Sequence, residues 1–96
     1  MGKATKGRVW TFAGERWHDG EASVIAPNQQ GFWLASTVFD GARSIAGHTA
    51  DLDRHCARLL RSAEILGLGQ PLKAAEIEAI ARDGIGKFPD DAELYI

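Results

Sequence analysis

Residues 51–66 read DLDRHCARLLRSAEIL, and the spacing of their apolar side chains decides the fold class. Leu52, Cys56, Leu59, Leu60, Ala63 and Leu66 recur at the three- and four-residue intervals of one helix face. Thr49 or Asp51 is placed to cap the free N–H groups at its start. Gly67 suits a left-handed C-terminal cap, and Gly69 and Pro71 prevent continuation. A second helix is predicted from about Lys73 to Lys87, with Ile77, Ile80, Ala81, Gly84 and Ile85 on its core face. Pro89-Asp90 ends it, and Glu93 to Ile96 reads as a strand.

Upstream of residue 51 the pattern is that of short strands. Val9 to Ala13 is β-branched and aromatic, Ala13-Gly14 offers a turn, and Glu15 to His18 runs back antiparallel. Asp19-Gly20 is a second turn signal, since glycine accepts positive φ at no steric cost. Ala22 to Ile25 then reads as a third strand, ended by Pro27-Asn28. From Ser36 to Arg43, strand is favoured over helix by Thr37, Val38, Phe39 and the flanking glycines. Gly47 closes a hairpin onto a short strand near Thr49. Strands followed by helices imply an α+β fold, an antiparallel sheet with two helices packed on one face. The closing strand is expected to pair with the sheet that begins the chain.

Ninety-six residues make one small domain, which buries roughly 60–65% of the surface its unfolded chain exposes. A net charge of −2 gives no electrostatic reason to bind nucleic acid or anionic lipid. The single cysteine, Cys56, excludes an internal disulfide, and no Cys/His spacing suggests zinc. This fits a cytoplasmic location. Residues 1–8 are basic without a following apolar stretch, unlike a secretory signal. No apolar run approaches the roughly 18 residues of a membrane span.

Candidate chemical groups are few. The lysines are Lys3, Lys6, Lys73 and Lys87, two near the N-terminus and two at the ends of the second helix, none in the apolar setting of a nucleophile. His18 and His48 fall near turns, and His55 flanks the apolar helix face, the ordinary place of a half-buried structural histidine. Arg54, Arg58 and Arg61 occupy successive helix turns. With Leu52 at the centre of the apolar face, Arg54 and Arg61 lie almost opposite, while Arg58 lies about 120° away at roughly 100° per residue. A forked guanidinium suits a phosphate, although a surface role is the commoner fate of such an arginine. Trp10, Phe12, Trp17, Phe32, Trp33 and Phe39 read as core by default.

Read together, three segments resemble the class IV (fold-type IV) pyridoxal-phosphate aminotransferases, above all the branched-chain amino acid aminotransferases. Residues 36–43, STVFDGAR, are similar to the family's T/S-V-F-E-G-I-R strand. Residues 55–63, HCARLLRSA, are similar to its H-x-x-R-L-x-x-S-A helix. Residues 94–96, LYI, resemble the start of its Y-I-R-P strand, and residues 17–20, WHDG, fit its opening hairpins. The matches lie in order and at the family's spacing. The resemblance implies that Arg58 contacts the phosphate of pyridoxal 5'-phosphate, and that Phe39 and Tyr95 line the substrate pocket. Arg43 is then structural, paired to Asp40. Leu34 falls where many members carry a pocket tyrosine, which weakens strict leucine, isoleucine or valine specificity.

The resemblance also implies what is absent. The lysine that links the cofactor belongs to the family's large domain, so no catalytic residue is expected in this chain. The chain would be an N-terminal small domain, cut before the catalytic domain and inactive alone. Its parent would be a homodimer acting on an amino acid and a 2-oxo acid. A related class IV member (a D-amino acid or amine aminotransferase, or an aminodeoxychorismate lyase) and a non-enzymatic module that kept the fold are the alternatives.

Overall fold

The computed structural model describes residues 8–96; Lys3, Lys6 and the side chain of Phe32 lie outside what it describes. Strands β1 (Trp10–Ala13) and β2 (Arg16–Asp19) form an antiparallel hairpin in which Ala13 faces Arg16. Its two turn residues, Gly14 and Glu15, both take positive φ, 63° and 66°. That is the requirement of a type I′ turn, whose twist matches that of the strands. A second hairpin repeats the device. Strand β3 (Arg43–Ile45) turns through Ala46 and Gly47, at φ 53° and 78°, into β4 (His48–Thr49).

Two long helices follow. Helix α2 (Leu52–Leu66) begins at Asp51, whose backbone is left-handed and whose carboxylate makes no capping bond, so its side chain is not the predicted cap. Gly67 closes the helix at φ 81°, with its N–H on the Glu64 carbonyl and the Leu68 N–H on that of Ala63. This paired 5→2 and 6→1 pattern satisfies the last free carbonyls. Helix α3 (Ala74–Ile85) starts where the Glu76 carboxylate accepts the Lys73 N–H at 2.7 Å. Strand β5 (Leu94–Tyr95) then pairs antiparallel with β3, giving the order β4-β3-β5. Backbone bonds in both directions between Ala42 and Ile96 extend that ladder.

The α+β class is as read from the sequence, with three corrections. The strands make two sheets, β1-β2 and β4-β3-β5, and the closing strand joins β3 rather than the opening hairpin. Residues 22–25 are not a strand. The chain leaves the hairpin at Gly20, at φ 106°, and the Thr11 hydroxyl donates to the Gly20 carbonyl at 2.8 Å. That carbonyl is therefore taken, and the chain is aimed away from β2. Residues 36–42 form no strand, and only Ala42 among them carries ladder bonds. A single helical turn, α1 (Gln30–Trp33), precedes them, Ala35 takes φ 52°, and the Thr37 N–H donates to the Ala35 carbonyl in a turn centred on Ser36. This tight turn uses the N–H that a strand at that point would have offered a neighbour.

The core is small. Ala42, Leu52 and Cys56 are buried together, with Ala74, Ile77, Ala81 and Ile85 packed on them. Burial pushes the Cys56 thiol up from its ordinary value, the behaviour of a packing group. The expectation that the aromatics fill the core fails for Trp33 and Phe39, which are exposed, while Trp10 and Trp17 are half-buried. Ser44 is fully buried in β3, and its hydroxyl has no hydrogen-bond partner. Removing that hydroxyl removes an uncompensated desolvation cost. Ser44→Ala is therefore expected to raise stability by about 1 kcal/mol. A urea midpoint that falls in this variant would mean that the hydroxyl is satisfied in solution.

Candidate functional site

The segment before β3 carries Asp40 onto the flank of α2. There the Asp40 carboxylate accepts three hydrogen bonds. Arg58 donates from Nε to Oδ2 at 2.5 Å and from Nη2 to Oδ1 at 2.8 Å. His55 places Nδ1 at 2.8 Å from Oδ1. An ionised carboxylate only accepts, so Nδ1 carries the proton. The 3.1 Å approach of Arg58 Nη2 to that same nitrogen is then proximity within the cluster. His55 and Arg58 are three residues apart on α2, hence on one face, one turn above the other. The Asp40 side chain is 8% exposed and that of Arg58 63%.

The Arg58 guanidinium, and after it the His55 N–H, hold the Asp40 carboxyl well below the usual carboxylate range, against the opposing effect of burial. The sign of the linkage follows. A lowered folded-state value stabilises fully above the unfolded value of about 3.9 and is lost as pH falls below it. The difference in thermal midpoint between the native chain and Asp40→Asn is thus expected to shrink as pH drops from about 4 towards 2. A gap as large at pH 2.5 as at pH 5 would show that the carboxylate is not charged through these bonds.

One predicted pairing is corrected here. Arg43 is not bonded to Asp40. It pairs with Glu93, and its guanidinium lies over the Tyr95 ring at 5.0 Å from the centroid. The register explains this, because Arg43 faces Tyr95 across the β3-β5 ladder while Asp40 lies ahead of β3 on the α2 side. Arg54 and Arg61 are exposed, as their place on the helix implied.

The residues expected to line the substrate pocket are all at the surface: Phe39 is 90% exposed, Tyr95 79% and Leu34 69%. Tyr95 shares a hollow of about 530 Å³ with His55, Arg43 and His48, so β5 and α2 meet in it. Phe39 and Leu34 line neither this hollow nor the next one. A second hollow, about 460 Å³, lies between the first hairpin, α3 and β5, with Trp10, Trp17, Ile85 and Phe88 in its walls. The Lys87 ammonium stands over the Trp10 ring at 4.8 Å. Sequence reasoning missed this hollow and missed His55 as a partner of Asp40. Its one signal was that Asp40 stands in one of the quoted segments and His55 with Arg58 in another.

The arrangement can bind an anion. A guanidinium has five N–H donors. Asp40 engages two of them, leaving three at the exposed end. That donor set fits a phosphate, which is read best by a planar fork. Among the described residues there is no group of His, Cys, Asp and Glu that could hold a metal ion. Nor is any helix among them long and apolar enough to cross a membrane.

Comparison with known proteins gives the family and the fold. No match is found among curated proteins. Among solved structures, an aminotransferase from Brucella abortus bound to the co-factor PLP is 45% identical, with a TM-score of 0.89. The match covers 93% of this chain and 32% of that one, so the chain spans about a third of its relative's length. The model of the family described as amino-transferase class IV matches residues 37–96, which hold Asp40, His55, Arg58 and Tyr95. With a family match over more than half its length, the chain belongs to the class IV aminotransferases.

Proposed function

We propose that this chain is the N-terminal small domain of a pyridoxal-phosphate-dependent aminotransferase, and that Arg58 binds the cofactor phosphate from its side of the active site. The observation that supports this most directly is the anchored, outward-facing guanidinium of Arg58, on a fold that matches a PLP-bound aminotransferase. When bound, the cofactor supplies an electron sink at the amino-bearing carbon. The residues of this chain supply a phosphate contact through Arg58 and part of a substrate wall through Phe39, Tyr95 and Leu34. A large domain, in the same chain or a second one, supplies the lysine that links the cofactor.

The reaction is amino transfer between an amino acid and a 2-oxo acid, with a branched-chain amino acid as the leading donor. Leu34 favours a second reading within the family. An exposed leucine removes the hydroxyl that a tyrosine would bring to the pocket, so a donor with a different side chain, as in a D-amino acid or amine aminotransferase, suits it as well. Exposed Trp33, Leu34 and Phe39 give an apolar surface for a second copy, consistent with a homodimer whose pocket lies near the subunit interface.

The test uses the complete enzyme stripped of cofactor. Arg58→Ala is expected to weaken pyridoxal phosphate binding on the order of tenfold or more, and to leave binding of pyridoxal, which lacks the phosphate, unchanged. Equal affinity of the native and variant proteins for pyridoxal phosphate would remove the assignment. Sedimentation of the same preparation reports the dimer, and an active monomer would count against it. A panel of branched-chain, D-amino acid and amine donors separates the two substrate readings.

A further inference from the structure

We infer that Asp40 and His55 are positioning residues, which hold the Arg58 guanidinium by one edge so that its other edge faces a phosphate. The inference rests on the assignment of Arg58 to the cofactor phosphate made above.

An arginine on an exposed helix face samples many rotamers, and a ligand that fixes it must offset that lost freedom. Here the freedom is already spent. Nε and Nη2 both donate to one carboxylate, a side-on fork that fixes the plane of the guanidinium as well as its place. The carboxylate cannot follow the arginine outward. Its side chain is nearly buried, and two residues further on the backbone is locked by the paired Ala42–Ile96 bonds. His55 closes the arrangement from the preceding turn of α2, bonding Oδ1 and opposing rotation of the carboxylate about its last bond. The three N–H groups left over belong to Nη1 and the outer side of Nη2, at the end turned to solvent.

Charge alone would argue against this design. A carboxylate next to a cation cancels much of its attraction for an anion, so Asp40 is a liability if Arg58 works only as a positive charge. What the pairing adds is direction. The two effects have opposite signs when Asp40 is neutralised, and this makes them separable. If charge dominates, Asp40→Asn tightens phosphate binding. If position dominates, it weakens binding although the site gains a net positive charge.

The experiment measures pyridoxal phosphate and pyridoxal binding to the complete, cofactor-free enzyme as native protein and as Arg58→Ala, Asp40→Asn, Asp40→Glu and Arg61→Ala. Asp40→Asn is expected to lose roughly tenfold in pyridoxal phosphate affinity, the low end of what partners that orient a binding group contribute. Binding of pyridoxal should not change. Asp40→Glu, which keeps the charge and both acceptor oxygens, should recover most of the loss, and exposed Arg61→Ala should match the native protein. If Asp40→Asn binds as tightly as native or tighter while Arg58→Ala is weakened, the positioning role is overturned and the phosphate assignment stands. If Arg58→Ala is itself without effect, the assignment has failed and the positioning role fails with it. Nitrogen NMR of the native protein gives an answer even where Asp40→Asn does not fold. The Arg58 Nε–H resonance should stay sharp and slow to exchange before and after pyridoxal phosphate is added. Its collapse to the signal of a free arginine on binding would show that the ligand pulls Arg58 away from Asp40, and would overturn the proposal.

Discussion

Residues 1–96 mixed with pyridoxal phosphate and dialysed are expected to keep no visible chromophore and to transfer no amino group. Of the lysines in the described residues, Lys73 is exposed at the start of α3, and Lys87 has its ammonium over the Trp10 and Trp17 rings. Neither stands in a closed apolar pocket that would make it a nucleophile. Arg58 is the one phosphate contact proposed for this chain, and one guanidinium does not retain a small phosphorylated ligand against dialysis. Phe39, Tyr95 and Leu34 face solvent, so the site excludes no water and fixes no substrate. The expected effect is therefore a complete loss relative to the parent enzyme. Absorbance in the visible band and an amino-transfer assay on the same sample measure it. A stoichiometric retained chromophore with turnover would refute the reading of the lysines. Turnover restored by adding a separate large domain would support a two-piece active site.

At Gly84 a substitution that helix propensity favours is expected to destabilise the fold. It sits inside α3, where alanine is ordinarily better than glycine by about 1 kcal/mol. Packing decides otherwise. A Cβ at this position would meet the Trp17 indole, with Cζ2 at 2.7 Å and Cζ3 at 3.2 Å, and Cη2 closer still. The indole also packs against the Phe12 ring in an edge-to-face arrangement, 5.2 Å between centroids. Overpacking of this kind costs about 1–3 kcal/mol, more than the gain in helix propensity. Gly84→Ala is expected to lose stability, and Gly84→Val to lose more and to lever the first hairpin off α3. Urea unfolding followed by tryptophan fluorescence measures both. A higher midpoint for Gly84→Ala would show that the hairpin yields freely.

The two long helices were legible because their signals are local. Six apolar residues at helical spacing and Gly67 at the C-terminal end specify α2 without reference to the rest of the chain. Both tight hairpins were legible for the same reason, through Gly14 and Gly47. What failed was pairing over distance. The β propensity of residues 22–25 and 36–42 is real, but a strand needs a neighbour. Gly20 and Ala35 turn the chain away before one is reached. Arg43 was matched to Asp40 through the family resemblance, yet its partners Glu93 and Tyr95 lie at β5, some fifty residues on. Arg58 illustrates the same divide. Periodicity placed Arg58 at the edge of the apolar face, where exposure was the ordinary outcome. Only the family resemblance gave it a role, and only the fold revealed the carboxylate and imidazole that hold it.

The strand order β4-β3-β5 has a kinetic consequence. The two hairpins close through turns of two residues and the helices form from neighbours in sequence, events of microseconds or less. The β3-β5 ladder instead joins residues about 50 apart, spanning both helices. Loop-closure entropy makes that contact the most costly to form early, and the helices between its ends shorten the loop that remains to be closed. On a ribosome, β5 is the last of these elements to emerge, after everything it docks against has been made. The hollow that Tyr95 shares with His55, and the Ala42–Ile96 bonds that fix the backbone beside Asp40, are therefore completed together at the end of folding.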